Sequence, residues 1–339
     1  MERREPPAQS PPDTGRKSPT APRAPFCVAG GDPSRPPRRP PAANGYNGPM
    51  ADRFFQNTIA LVYDFDGTLS PQPMQEYTVL PRMGIAPREF WKKVNEEALA
   101  TESDMMLVYM RHILESLDRQ KIAVKRADFA RMARAIRYFP GVEGWFRRAN
   151  DYVRRQSGGK VKLHHYVISA GQKEILDGVS IRRHFRRIYA SEYHFNHHGV
   201  ATFPKLLVTD TMKTQFLFRI NKGREAITES INEHMPEALR PIPFHNMIYV
   251  GDGMTDVPSM ALTKKNGGHT VAVYGKRKDA QKDICVRLLE AGRADFIAQA
   301  DYRKGSRLSR RMALLLDAVI ADIAYRREAF ACRAEHRAG

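Results

Sequence analysis

The sequence predicts an α/β fold, a Rossmann-like parallel sheet with a small helical domain inserted after its first strand. Three observations carry this. Ile59 to Tyr63 is a short apolar run with β-branched residues, suited to a strand buried on both faces, and it ends in Asp64-Phe65-Asp66-Gly67-Thr68. Two later apolar runs, Leu163 to Ile168 and Asn246 to Val250, also end in small or acidic residues: Ser169-Ala170-Gly171 and Gly251-Asp252-Gly253-Met254-Thr255-Asp256. Between the first two runs, about 65 residues read as helices with no strand-like interruption. In an open parallel sheet the ligand crevice lies beyond the carboxyl ends of the strands. These three ends can therefore share one crevice.

Residues 1–49 differ in composition from the rest of the chain. They hold 13 of the 23 prolines and almost no large apolar residue, too little to offset the entropy of ordering. They read as a disordered Pro/Arg-rich extension, without the apolar region of a secretory signal. A second reading starts the protein at Met50, which leads straight into the first strand. The formal charge is +18; the extension contributes 8 basic and 4 acidic residues, so the remainder carries +14. That charge allows nucleic acid, anionic membrane or phosphorylated small molecules as partners. The arginine pairs (Arg147-Arg148, Arg182-Arg183, Arg310-Arg311 and others) lie in separate segments and read as solvated helix faces. Cys27, Cys285 and Cys332 show no metal spacing, which fits a reducing, cytoplasmic setting. No apolar run approaches the roughly 18 residues of a membrane span.

The core is expected over 50–72 and 139–339, with the helical insertion at 73–138. Within that insertion, Pro87 to Leu99 carries Phe90, Trp91, Val94 and Leu99. Ser103 is a plausible N-cap with Asp104 in the first turn. The helix it opens places Met106, Met110, Ile113 and Leu117 on one face, with Leu107 and Leu114 alongside. A third helix covers Arg126 to Ile136. After the Phe139-Pro140-Gly141 turn a helix runs from Val142 to Gln156, then the strand from Leu163. A short strand at Arg187 to Ala190 leads into a loose stretch with His194, His197 and His198, read as a surface loop because no acidic or cysteine partner completes a zinc site. Leu206-Leu207-Val208 is too short to assign. A helix from about Thr211 has Lys213 in its first turn, where the macrodipole disfavours a cation. Strands at Asn246 to Val250, Thr270 to Tyr274 and Asp295 to Ile297, and a long helix from Ser306, complete the chain.

The strand ends now read as chemistry. Asp64, Asp66, Asp252 and Asp256 would repel one another without a cation, and hard oxygen donors favour Mg²⁺. With a lysine and Ser169 nearby, the remaining space suits a phosphoryl group. One carboxylate can attack phosphorus and a second can move the proton.

These residues resemble the haloacid dehalogenase superfamily, and within it phosphatases of the phosphoserine phosphatase-like type with a helical cap. The matching positions are Asp64-Phe65-Asp66-Gly67-Thr68, Ser169, Lys213 and Gly251 to Asp256, across residues 57–300. The resemblance implies Asp64 as nucleophile and Asp66 as general acid and base. It implies Mg²⁺ held by Asp64, the Asp66 backbone carbonyl and Asp252, with Asp256 orienting the site. Lys213 serves the phosphate, with Lys222 as the other candidate; Ser169, Ala170, Thr68 and Gly67 complete the phosphate site. The expected function is thus Mg²⁺-dependent hydrolysis of a small phosphorylated metabolite through an aspartyl-phosphate. The alternatives are a phosphatase of nucleic-acid ends, and a binding protein that keeps the fold without catalysis. In phosphoserine phosphatases a glutamate soon after the first motif helps read the substrate amine. Here Pro71, Gln72 and Pro73 intervene and Glu76 lies further along, so the substrate stays open, as does the oligomeric state.

Overall fold

The computed structural model describes residues 53–276 and 278–336. The 1–49 extension, Met50 and Cys27 lie outside the described residues. Seven strands form one sheet: β1 (Thr58–Tyr63), β2 (Lys162–Gln172), β3 (Phe185–Phe195), β4 (Ala201–Leu206), β5 (Met247–Gly251), β6 (His269–Tyr274) and β7 (Phe296–Gln299). Their order across the sheet is β4-β3-β2-β1-β5-β6-β7. All neighbours run parallel except β3 and β4. From β1 the chain winds outward through β2 and β3, then returns to the far side of β1 as β5. The winding reverses between β1 and β5, which is where an open parallel sheet leaves a crevice.

Between β1 and β2 lie α1 (Met74–Tyr77), α2 (Val79–Met83), α3 (Pro87–Ala100), α4 (Met105–Arg119), α5 (Arg126–Met132) and α6 (Val142–Gln156). Asp104, not Ser103, caps α4: its carboxylate accepts from the backbone N–H groups of Met106 and Leu107. The Ser103 hydroxyl bonds Thr101 instead. The apolar face of α4 is largely the expected one, with Met106 and Leu114 packed against the same cluster. Val108, Tyr109, Met110, Ile113 and Leu117 are buried, whereas Leu107 is 43% exposed. At the end of α3, Leu99 is 81% exposed. The helices of 73–138 share one continuous buried cluster with β1: Phe90, Val94, Met110 and Phe129 join Ile59, Leu61 and Tyr63.

After β2 the chain forms α7 (Lys173–Leu176), α8 (Lys213–Lys222) after β4, α9 (Val257–Lys265) after β5, α10 (Asp279–Glu290) after β6 and α11 (Arg307–Glu335) after β7. Successive β1 side chains point to opposite faces. Ile59, Leu61 and Tyr63 pack with Trp145 and Phe146 of α6 and Leu316 of α11. Ala60 and Val62 pack with Phe216, Leu217 and Ile220 of α8, Met260 of α9 and Leu288 of α10. Each large side chain so buried stabilises the fold by about 1.5–3 kcal/mol, and both faces of the sheet are covered. Among the described residues no helix is long and apolar enough to cross a membrane.

Two strand assignments change. The loose stretch after Ala190 is ordered: β3 runs on to Phe195 and pairs with β4 in a hairpin. The Asn196 carboxamide accepts from the backbone N–H groups of His198 and Val200, and Gly199 supplies a φ of 74°, so Asn and Gly close the turn. His194 belongs to β3, where it bonds Thr202 and stacks on Phe203. The second change is at β2, which continues past Ile168 to Gln172. Its pairing with β3 slips between Ser169 and Gln172, and such a bulge re-aims the side chains around it.

Candidate active site

The register brings the motifs together. Tyr63 pairs with Val167 on one side and Val250 on the other, so the next residue, Asp64, is level with Ile168 and Gly251, one residue before Ser169 and Asp252. The Asp64 N–H still donates to Val250 O at 2.9 Å, which locks the aspartate to the sheet edge. Carboxylate oxygens of Asp64, Asp252 and Asp256 all lie within 4.8 Å of one another. Asp64 and Asp252 line a cavity of about 390 Å³, together with Asp66, Ser169, Ala170, Gly171 and Lys213.

Lys213, the first residue of α8, is buried, and its Nζ donates to Asp64 Oδ1 at 3.0 Å and Asp256 Oδ1 at 2.8 Å. Burial lowers the lysine pKa, but these two carboxylates overcome it and hold the value well above the usual lysine range. They also answer the unfavourable helix dipole. Lys222 is not at the site: its Nζ donates to the carbonyls of Ile231 and Glu233.

The four aspartates have different surroundings. Burial pushes Asp64 up to about 6, with Lys213 opposing. Burial, then the Asp64 charge, raises Asp66 well above the usual carboxylate range, and its Oδ1 accepts from the Met74 N–H at 2.9 Å. Asp252 is raised well above that range by burial and then by Asp64 and Asp256. Asp256 is enclosed: Oδ1 accepts from Lys213 and from Tyr249 OH at 2.7 Å, and Oδ2 from the Asp252 N–H at 3.0 Å. Its oxygens are spent on fixing Lys213 and the Asp252 backbone.

Glycines permit this crowding. Gly67 has a φ of 81°, and a Cβ there would overlap the Asp252 carboxylate. A Cβ at Gly251 would overlap Asp256. The Ser169 hydroxyl oxygen accepts from the Gly171 N–H at 3.0 Å, which leaves its O–H to donate elsewhere. Thr68 is buried with its hydroxyl unpartnered; neither Thr68 nor Gly67 lines the cavity.

Several residues that line the cavity were not among the predicted site residues. Gln75, Glu76, Trp91, Met105, Met106 and Tyr109 line the cavity from the helical insertion. Gln281, on α10, donates through Nε2 to Asp252 Oδ2, and its Oε1 accepts from the Gly275 N–H. Only Thr255, inside the acidic segment after β5, could have been found by motif. Glu76 reaches the cavity in spite of its distance along the chain, because α1 starts directly against Asp66.

The donor set suits a small hard divalent cation. The candidate donors of Asp64, Asp252 and Asp256 are all carboxylate oxygens.

The sequence model of the haloacid dehalogenase-like hydrolases matches residues 61–261, and the chain belongs to this family. A relative in Borreliella burgdorferi, an uncharacterized protein, is 28% identical over 285 residues, covering 75% of this chain and 94% of its own. Among solved structures, a phospho-aspartyl intermediate analogue of phosphoserine phosphatase is 16% identical with a TM-score of 0.47, over 76% of this chain and 98% of that one. A probable phosphoserine phosphatase from Vibrio cholerae is 14% identical with a TM-score of 0.49, over 80% and 69%.

Proposed function

We propose that this hydrolase cleaves the phosphate monoester of a small molecule, with Asp64 as nucleophile. The observation that carries the reading is the single ammonium of Lys213 held between Asp64 and Asp256 in a small cavity. Such a group has a third N–H to offer, and a phosphoryl oxygen is the acceptor that fits beside a carboxylate nucleophile. Ser169 O–H and backbone N–H groups supply further donors to the developing charge.

The chain's own residues account for both half-reactions. An Asp64 oxygen forms a bond to phosphorus as the bond from phosphorus to the leaving alcohol breaks. Asp66, whose protonated form is favoured by burial and then by the Asp64 charge, passes its proton to the leaving oxygen. The resulting Asp66 carboxylate then takes a proton from water as that water attacks the phosphorus. The Asp64–phosphate bond breaks, inorganic phosphate leaves, and both aspartates return to their starting states. Asp64, Asp252 and the Asp66 carbonyl would hold Mg²⁺, with Asp256 keeping Asp252 in place. When bound, the ion supplies positive charge opposite the transferring phosphoryl oxygens. The helical segment 73–138 serves as the cap that reads the alcohol, since α1, α3 and α4 contribute Glu76, Trp91 and Tyr109 to the cavity wall.

Asp64→Asn is the test. It keeps the shape and removes the nucleophile, so turnover of para-nitrophenyl phosphate should drop by at least about a thousandfold while circular dichroism and cooperative unfolding persist. Wild-type turnover in that variant would overturn the assignment.

A further inference from the structure

The cavity over the aspartates also holds groups that phosphoryl transfer does not use. The rings of Trp91 and Tyr109 meet at 61° with centroids 5.8 Å apart, forming two walls of a corner. Trp91 Nε1 donates to Glu76 Oε1 at 3.0 Å, which fixes the carboxylate beside the indole. The Tyr109 hydroxyl donates to Ala170 O at 3.0 Å, so its polar end is engaged. The thioethers of Met105 and Met106 complete this part of the wall. Among the described lining residues Lys213 is the only cation, and two carboxylates already neutralise it.

The charge pattern selects a substrate class. Aromatic faces attract organic cations, more strongly as water is excluded. A carboxylate in the same corner adds a full counter-charge, and thioethers offer soft, polarisable contact. A substrate bearing a second anion would meet Glu76 with no described cation to receive it. A neutral polyol would leave the Glu76 charge unused. We propose that the leaving alcohol carries an alkylated ammonium group, and that the substrate is the phosphate ester of an amino alcohol without a carboxylate, its cation seated among Glu76, Trp91 and Tyr109.

The phosphate end of this proposal rests on the phosphomonoesterase reading; the cation corner does not, and the experiment separates them. In the first arm, kcat/KM is compared for choline phosphate, its uncharged isostere 3,3-dimethylbutyl phosphate, and phosphoserine. Choline phosphate should exceed both by at least tenfold, and its advantage over the isostere should shrink at least tenfold in Glu76→Gln and in Trp91→Leu. Equal or reversed preference, with para-nitrophenyl phosphate still cleaved, overturns the proposal and leaves the phosphatase reading in place. In the second arm, choline is titrated against intrinsic fluorescence. The chain has two tryptophans, and Trp145 is buried in the core, so Trp91 reports the corner. Saturable quenching by choline, absent with 3,3-dimethylbutanol and weakened at least tenfold in Glu76→Gln, supports the corner even if no ester is hydrolysed. No quenching by choline overturns it.

Discussion

Lys213 Nζ lies 3.0 Å from Asp64 Oδ1, across 149 positions of chain, and both side chains are buried. The lysine opens α8 and the aspartate ends β1, so the contact ties a helix to the central strand at the site itself. Removing the cation leaves Asp64 and Asp256 buried with no positive partner. Lys213→Met is therefore expected to lower stability by about 3–5 kcal/mol and to abolish turnover. Because a positive charge has left the acidic cluster, Mg²⁺ should stabilise the variant more than it stabilises the wild type. Denaturant titrations with and without Mg²⁺ read both effects, and equal Mg²⁺ stabilisation of the two proteins would count against the geometry.

Gln281 makes a different kind of contribution. Its Nε2 holds Asp252 Oδ2 while its Oε1 is itself anchored by the Gly275 N–H, so the amide orients a carboxylate from outside the cavity lining. Groups that orient metal ligands typically contribute 10–100-fold to affinity. Gln281→Leu should weaken Mg²⁺ binding by about tenfold in calorimetric titration, with the fold intact. Unchanged affinity would reduce Gln281 to a packing residue.

Much of this site was legible because its parts sit at strand ends. Asp64, Asp66, Ser169 and Asp252 each follow an apolar run, and a parallel sheet brings such ends to one edge. Lys213 was legible as a cation in a place that local electrostatics disfavour, a conflict that tertiary contacts resolve. The cavity wall was not. Trp91 and Tyr109 look like any aromatic of an amphipathic helix, and whether they face core or cavity depends on how α3 and α4 pack. The β3–β4 hairpin was not legible although Asn196 and Gly199 were present, because Leu206-Leu207-Val208 is too short an apolar run to mark a second strand. Arg219 had no local signal at all. It is buried, and its guanidinium gathers the carbonyls of Arg224, Ala226, Ile227 and Glu229, which organises the loop after α8 through contacts within that loop.

His165 gives the fold a dependence on pH that is separate from catalysis. It lies on β2, buried against Phe146 and Tyr63, with Tyr63 OH 3.1 Å from Nδ1 and the Asn150 amide nitrogen 3.3 Å from Nε2. Burial, with His184 and His164 adding repulsion, lowers its pKa from 6.5 to about 3. The folded protein therefore keeps the ring neutral where the unfolded chain takes up a proton. The unfolded state binds more protons between about pH 6.5 and 3, so stability falls as pH drops through that window and is fully present above it. Each unit of pH below 6.5 costs roughly 1.4 kcal/mol, or about 2 kcal/mol at pH 5. Asp295, lowered to about 2, contributes stability that is lost only as pH falls toward and below its ordinary value near 3.8, so it adds little between pH 7 and pH 5. His164 is lowered too, by burial and then Arg186, so the wild type alone would not isolate one ring. The comparison that does so is His165→Gln against wild type in urea at pH 7 and pH 5. The variant should be less stable at pH 7, yet lose about 2 kcal/mol less between the two pH values. Parallel losses in both proteins would mean that His165 does not stay neutral in the fold.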